Sequence, residues 1–189
     1  MKHRGIALLA LAAIAASAPA GSPSWEIALA AKGEPGSPLV VEGRVIDAQG
    51  RPMRDVLVYA YHADDHGNYT RGGEAKPRLS GMLRTNVLGG FRVRTVRPGL
   101  AEGIPHIHFE LAAPRAQYRA VAVSLCRAVG AGSDTSFAHL PQMLTVSGFG
   151  HWAYVRPDSA GGYVCNWDIP FGALPPLDTP PPAFAPQPH

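Results

Sequence analysis

Two histidines one residue apart, His106 and His108, are the residues whose types and spacing most directly suggest chemistry. They stand in the run PHIHF at residues 105–109, which begins a strand-like stretch. Residues two apart in a β-strand point to the same face, so both imidazoles would share one face and Ile107 the other. Neutral imidazole binds Fe, Cu and Zn, and the pair therefore forms half of a candidate metal site. Taken alone, the same pair also fits a polar strand surface.

Short β-like runs surround this pair, and no segment has a sustained helical period. In residues 89–96, for example, Phe91, Val93 and Thr95 alternate with two arginines. Many short strands separated by Gly and Pro predict an all-β sandwich or barrel, which we place at residues 39–172. A Gly-, Pro- and Ser-rich arm at residues 21–38 precedes it, and a Pro-rich tail at residues 173–189 follows.

The chain begins like an exported protein. A basic start at residues 1–4 leads into an apolar stretch that ends in the small residues Ala18-Pro19-Ala20. This order predicts a signal peptide at residues 1–20 and a periplasmic or secreted protein with no membrane attachment after cleavage. An uncleaved anchor helix is the alternative. The net charge of +3 is small and its Lys and Arg are scattered, which predicts no nucleic-acid partner.

Two cysteines, Cys126 and Cys165, lie in the predicted mature sequence. In an oxidising compartment an even pair predicts one disulfide. Two buried free thiols are the alternative, because the sequence does not show how far apart the two residues lie.

Four runs of the sequence, taken in order, resemble the intradiol ring-cleavage dioxygenases, the family of protocatechuate and catechol dioxygenases. The runs are GRVIDAQGRP at residues 43–52, YHADDHGNY at 61–69, TNVLGGFRVRTVRPG at 85–99 and HIHF at 106–109. The ordered series is far more specific than any one of its motifs. The resemblance implies an antiparallel β-sandwich and an enzyme that cleaves a small aromatic substrate, a catechol or a related compound, with O2.

The resemblance also implies a ligand set. The family holds a ferric ion with two tyrosinates and two histidines, and the matching residues here are Tyr69, His106 and His108. A tyrosinate is a hard anionic donor, and a bound metal lowers the pKa of the phenol far below its ordinary value of about 10. Fe(III) is therefore the implied cofactor, with Cu or Zn as the other metals that such a site suits.

The match to the family breaks where the second tyrosine should stand. That tyrosine follows Pro-Gly by two residues in the family, but Leu100 and Ala101 follow Pro98-Gly99 here. The nearest carboxylate is Glu102, which is a candidate fourth ligand or else a solvated loop residue. Three tyrosines from elsewhere in the chain are further candidates, namely Tyr118, Tyr154 and Tyr163.

Two helper positions of the family are changed as well. The family's arginine shortly before H-I-H meets Gly103 or Ile104, and its glutamine in the next strand falls near Ser124. We interpret His62 and His66 as surface loop histidines, with a role at the metal or the substrate as the alternative. Residues 127–160, which include His139 and His151, match no motif and would form a lid, a substrate wall or part of the core.

These observations leave three functions open. The first is an exported non-haem metal dioxygenase of intradiol type. The second is a sandwich of the same ancestry that binds a metal or a ligand with no or altered catalysis, as the missing tyrosine suggests. The third is a transthyretin-like sandwich without metal that serves a structural or carbohydrate-binding role.

Overall fold

The computed structural model describes residues 23–72, 74–101, 103–127 and 151–184. Its regular structure is nine β-strands and two short 3₁₀ helices, Phe171–Ala173 and Pro182–Phe184, which follow the last strand. The strands are β1 (Glu26–Ala28), β2 (Pro38–Arg44), β3 (Leu57–His62), β4 (Leu79–Arg84), β5 (Gly90–Val96), β6 (His106–Ala113), β7 (Gln117–Arg127), β8 (His151–Pro157) and β9 (Tyr163–Asn166).

The strands form one mixed sheet in the order β1-β5-β2-β9-β8-β7-β6-β3-β4. Three pairs are parallel, namely β1–β5, β2–β9 and β7–β8. The two ends of the sheet meet, because the backbone N–H of Arg84, the last residue of β4, donates to the carbonyl of Ser24 beside β1 at 3.0 Å. The sheet is therefore nearly a barrel.

The predicted all-β class is confirmed, but the strictly antiparallel sandwich is corrected to this mixed, nearly closed sheet. Sequence alternation shows which side chains face inward, but it does not show which strand lies beside which. The short strand β1 pairs in parallel with β5, and β9 pairs in parallel with β2. No local sequence pattern predicts these two pairings.

Alternation along β6 places the two histidines. Ile107, Phe109 and Leu111 are fully buried on the inner face, where they join the hydrophobic core. His106 and His108 consequently point to the outer face of the sheet. In β5 the same rule buries Phe91, Val93 and Thr95, as their alternation predicts.

The segments at both ends of the domain pack against the sheet. Residues 26–28 of the predicted arm form β1, and Leu29 next to it is buried in the core. In the Pro-rich segment, Leu174 is buried and Leu177 forms a bridge to Tyr118 of β7. Both segments therefore contribute to the domain rather than only flanking it.

The predicted Cys126–Cys165 disulfide is not formed. Cys165 is a buried free thiol, and burial raises its pKa to about 12. Cys126 pairs with Tyr154 of β8, whereas Cys165 pairs with Val155 on the other side of the same strand. Neighbouring strands are about 4.8 Å apart, so the two Cα atoms are about 10 Å apart, beyond the roughly 7 Å that a disulfide spans.

Several predictions from the sequence fall on residues outside the described ranges. The signal peptide, Glu102 and His139 are among them, as is most of residues 127–160. Within the described ranges, no helix has the length and apolar character needed to cross a membrane.

Candidate metal centre

Three side-chain atoms converge on the outer face of β6. The hydroxyl oxygen of Tyr69 lies 2.8 Å from His106 Nε2 and 3.0 Å from His108 Nε2, and the two Nε2 atoms are 2.9 Å apart. With metal–ligand bonds near 2.1 Å, ligands of one ion lie roughly 3.0–3.4 Å from each other. The structure thus brings together the three predicted ligands at nearly the spacing that a metal requires. That they bind a metal stays a prediction.

The ring of His106 is oriented by the backbone. It is 1% exposed, and its Nδ1–H donates to the carbonyl of Ile104 at 2.8 Å. This hydrogen bond fixes the tautomer, so Nε2 is the acceptor nitrogen that points toward the Tyr69 hydroxyl. A second hydrogen bond of this kind is how proteins commonly orient a metal-binding histidine.

The ring of His108 is held by an aromatic neighbour. It stacks on Tyr61, with centroids 4.6 Å apart and planes 6° from parallel. Burial, and then the nearby His106 and His62, lower the pKa of His108 to about 4. Its imidazole is therefore neutral near pH 7, the form that binds a metal.

A tight turn after β3 carries Tyr69. The carboxylate of Asp64 accepts from the backbone N–H groups of His66 at 3.0 Å and Asn68 at 2.9 Å. Gly67 adopts φ +86°, and a Cβ on it would lie 2.7 Å from the carbonyl of Leu100. The A-D-x-x-G-x-Y run is thus a defined turn that delivers the tyrosine to the histidines.

This turn is tied to the Pro-Gly loop and to the N-terminal segment. Gly99 N donates to the Asp64 carbonyl at 2.8 Å. Arg78 forms two hydrogen bonds to the carboxylate of Glu34, at 2.6 and 2.7 Å, and lies 3.5 Å from Asp64. The side chains of Glu34 and Asp64 are 8% and 4% exposed, so Arg78 compensates two shielded carboxylates behind the turn.

A second group of metal-ligand types lies in the same turn. Potential ligand atoms of Asp64, Asp65 and His66 all lie within 4.8 Å of one another. However, Asp64 already accepts two backbone hydrogen bonds, and His66 Nδ1 lies 2.7 Å from an oxygen of Asp65. These contacts explain the cluster as part of the turn, and we favour the tyrosine–histidine set as the metal centre.

The structure corrects one histidine assignment. His66 is exposed as predicted, but His62 is fully buried on the inner face of β3. Its Nδ1–H donates to Ala63 O, and its Nε2 accepts from Thr95 Oγ1, both at 2.6 Å. The alternation of β3 contains this signal, because His62 shares the parity of Val58 and Ala60.

No second tyrosine joins the first. All six tyrosines lie in the described ranges, and Tyr69 is the one whose hydroxyl contacts the histidines there. Tyr118 stacks on Phe184, Tyr154 is 64% exposed, and Arg97 lies over the ring of Tyr163. Within the described residues, these three tyrosines therefore do not supply the second tyrosine that the family pattern has.

Ser124 is a polar group that faces the centre without a partner. It lies directly across from His106 in the antiparallel β6–β7 pair, and it neighbours Trp152 of β8. It is fully buried, and its hydroxyl has no hydrogen-bond partner in the part of the chain that the structure describes. A buried hydroxyl of this kind calls for a water molecule or a ligand.

A pocket of about 320 Å³ opens beside His108. Tyr61, Glu110 and His151 supply its polar groups, and the other residues that line it are Phe109, Ala120, Val121, Ala122, Leu174 and Pro175. Burial raises the pKa of Glu110 above its ordinary value. The sequence alone could have indicated that Glu110 lies near the site, because it follows His108 by two residues on the same strand face.

A larger open groove of about 600 Å³ lies between β2, β5 and β9, where Trp25 lines it. None of the three converging residues lines it, and its charges are already paired. Arg44 lies 2.7 Å from Asp168, and Arg92 lies 2.8 Å from Glu42. We therefore assign the chemistry to the smaller pocket.

Comparison with known proteins agrees with the fold. A family model described as dioxygenase matches residues 17–103. The catechol 1,2-dioxygenase 2 of Acinetobacter lwoffii is 36% identical over 67 residues, and the protocatechuate 3,4-dioxygenase beta chain of Burkholderia cepacia is 35% identical over 95 residues. These alignments span 34% and 42% of this chain, but only 24% and 40% of the two relatives.

Solved structures extend the likeness beyond residue 103. The dioxygenase domain of a dioxygenase–carbohydrate-binding fusion from Streptomyces sp. SirexAA-E has a TM-score of 0.60 at 26% identity, over 81% of this chain and 90% of that one. The catechol 1,2-dioxygenase of Pseudomonas arvilla C-1 has a TM-score of 0.58 at 21% identity, over 85% of this chain and 60% of that one. The chain is therefore similar to the intradiol dioxygenases in sequence and in fold. The family-model match ends three residues before His106, so the placement of the histidines rests on the structure.

Arg78 provides a test of how the turn positions Tyr69. In Arg78→Met the carboxylates of Glu34 and Asp64 lose their nearer cation and keep only Arg71, at 3.8 and 3.9 Å, so repulsion should loosen the turn. We expect metal affinity to fall about tenfold, as for other partners that orient ligands. Competition titration with a chelator measures it. Arg51→Met, at an exposed ion pair, is the control, and equal affinities in the two variants would contradict this role.

His62 predicts a pH dependence of stability. Burial, foremost, lowers its pKa to about 4 from an ordinary value of 6.5, so the unfolded state takes up a proton first as pH falls. This stability is complete above pH 6.5 and is lost as pH falls toward 4, by on the order of 3 kcal/mol. Urea unfolding of metal-free protein at several pH values measures it. His62→Gln should flatten the profile and the exposed control His66→Gln should not, whereas equal slopes would contradict the prediction.

Proposed function

We propose that this chain is an exported, iron-dependent dioxygenase that opens the ring of a catechol or a related aromatic compound with O2. The observation that carries the proposal is the convergence of Tyr69, His106 and His108 within 3.0 Å in an intradiol dioxygenase fold. In such a reaction the bond between the two hydroxylated ring carbons breaks, and both oxygen atoms of O2 enter the product as carboxylate oxygens. Export rests on the signal-peptide pattern at residues 1–20.

The donor set fits Fe(III). One tyrosinate and two neutral imidazoles offer a hard anionic oxygen and two nitrogens, a set that suits Fe more closely than it suits Cu or Zn. When bound, Fe(III) would supply the Lewis acidity and the redox chemistry that make a catechol reactive toward O2. Tyr69, His106 and His108 would hold it.

The chain's own residues prepare the site in three ways. The Ile104 carbonyl keeps the proton of His106 on Nδ1, so that Nε2 is the ring nitrogen that would bind the metal. Tyr61 covers one face of the His108 ring and keeps water from it. Ser124 offers a buried hydroxyl, which we propose donates a hydrogen bond to an oxygen of the substrate.

The missing second tyrosine changes the proton chemistry. In the family that residue accepts the proton of a substrate hydroxyl, and this chain offers no tyrosine in its place. Glu102 stays our candidate for this role or for the fourth ligand, although it lies outside the described residues. Metal binding without turnover is the second candidate function, and the lost tyrosine is the observation that favours it.

Tyr69→Phe tests the function directly. We expect the iron-loaded wild type to show a visible tyrosinate-to-Fe(III) absorption band and to consume O2 with catechols. The variant should lose the band and at least about a hundredfold of the rate, because it loses a metal ligand. Tyr154→Phe, at an exposed tyrosine, is the control. Iron uptake without O2 consumption would point to the binding protein, and full activity in Tyr69→Phe would refute the proposed ligand set.

Ser124→Ala separates a substrate contact from a structural role. Removing an unpartnered buried hydroxyl should leave the melting temperature unchanged or raise it, because no hydrogen bond within the protein is lost. Turnover of a catechol should nevertheless fall about tenfold with iron content unchanged, since one hydrogen bond to the substrate is lost. Ser159→Ala, in an exposed turn, is the control. A lower melting temperature with unchanged turnover would assign Ser124 a purely structural role.

A further inference from the structure

Glu110 is a partly buried carboxylate in the wall of the pocket beside His108. It lies on the outer face of β6 between Tyr59 of β3 and Ala120 of β7. His106, His108 and Glu110 therefore follow one another along the same face of one strand. Glu110 is therefore the next outward-facing side chain of β6 after the two candidate metal ligands.

No cation compensates this carboxylate. Its Oε2 accepts a hydrogen bond of 3.3 Å from the backbone N–H of Ala183, and no Lys, Arg or His nitrogen of the described residues forms an ion pair with it. Other shielded carboxylates of the chain behave differently, since Glu34 is paired with Arg78 and Glu42 with Arg92. A charge taken partly out of water is costly unless it is paired. A ligand that brings a cation would supply the missing partner.

The rest of the pocket suits a small aromatic body. Its volume of about 320 Å³ lies at the lower end of the range for small-molecule sites. Ala120 and Ala122 leave the floor open, and Leu174 and Pro175 add apolar surface. Burial, and then the charge of Glu110, raise the pKa of Tyr61 to about 12, so its hydroxyl remains a hydrogen-bond donor.

We infer that this pocket binds a phenolic compound whose side chain ends in an ammonium group, with the ammonium on Glu110 and the ring beside Tyr61. The cation preference follows from the pocket itself, whereas the view that this compound is the substrate rests on the proposed function. The same carboxylate repels a ligand that ends in a carboxylate, so aromatic acids are disfavoured.

Three monophenols of similar size test the inference without turnover. Tyramine carries an ammonium group, para-ethylphenol is neutral, and para-hydroxyphenylpropanoate is an anion. Calorimetric titration of the full-length, metal-loaded protein measures their binding. We expect tyramine to bind about tenfold more tightly than the neutral phenol, as one charge-assisted hydrogen bond implies, and the anion to bind most weakly.

Glu110→Gln removes the charge and keeps the shape of the side chain. It should abolish the preference for tyramine, whereas Asp178→Asn, which removes an exposed carboxylate, should keep it. Equal binding of the three phenols to the wild type would overturn the inference without the use of any variant. So would an unchanged preference in Glu110→Gln.

Turnover separates this inference from the proposed function. With Fe(III) bound, a catechol that carries an aminoethyl group should be consumed faster than one that carries a carboxylate. If no catechol is consumed but tyramine is preferred in a Glu110-dependent way, the proposed function fails and the pocket assignment stands. If catechols are consumed without regard to the charge of their substituent, the proposed function stands and the pocket assignment fails.

Discussion

The site depends on one constraint: a loop residue, Tyr69, must reach two histidines that a strand fixes in place. His106 and His108 need no special loop, because β-strand alternation sets them side by side on the outer face of β6. Tyr69 arrives by a turn that Asp64 holds through two backbone N–H groups and that Gly99 ties to the Pro-Gly loop. The candidate metal centre is therefore as rigid as the contacts that anchor this turn.

The departures from the family all fall around this centre. The chain keeps one tyrosine and both histidines, but it offers no second tyrosine and has Ser124 near the position of the family's glutamine. Within the described residues, the buried hydroxyl of Ser124 has no hydrogen-bond partner and the partly buried carboxylate of Glu110 has no cation, and both lie on the outer face near this centre. Burial of such groups is costly unless they are paired, and a ligand that supplies a hydrogen bond or a cation would pair them.

The sequence predicted those features that depend on the order of neighbouring residues. The run of four motifs led to Tyr69, His106 and His108, and alternation predicted the inward face of β5. It did not predict that β9 pairs in parallel with β2, because pairing between distant segments leaves no local pattern. The same limit explains why the predicted disulfide was wrong. Strand β8 lies between the strands of the two cysteines, and the sequence does not show this. Alternation could also have placed His62 and Glu110. His62 shares a strand face with Val58 and Ala60, and Glu110 shares one with His106 and His108.

The central claim is that a metal sits among Tyr69, His106 and His108. Anomalous X-ray scattering from crystals of the iron-loaded protein, collected at the iron edge, tests it most directly. The account predicts one strong peak bonded to Tyr69 Oη, His106 Nε2 and His108 Nε2. A peak at Asp64, Asp65 and His66 instead, or no peak in protein that carries stoichiometric iron, would contradict it.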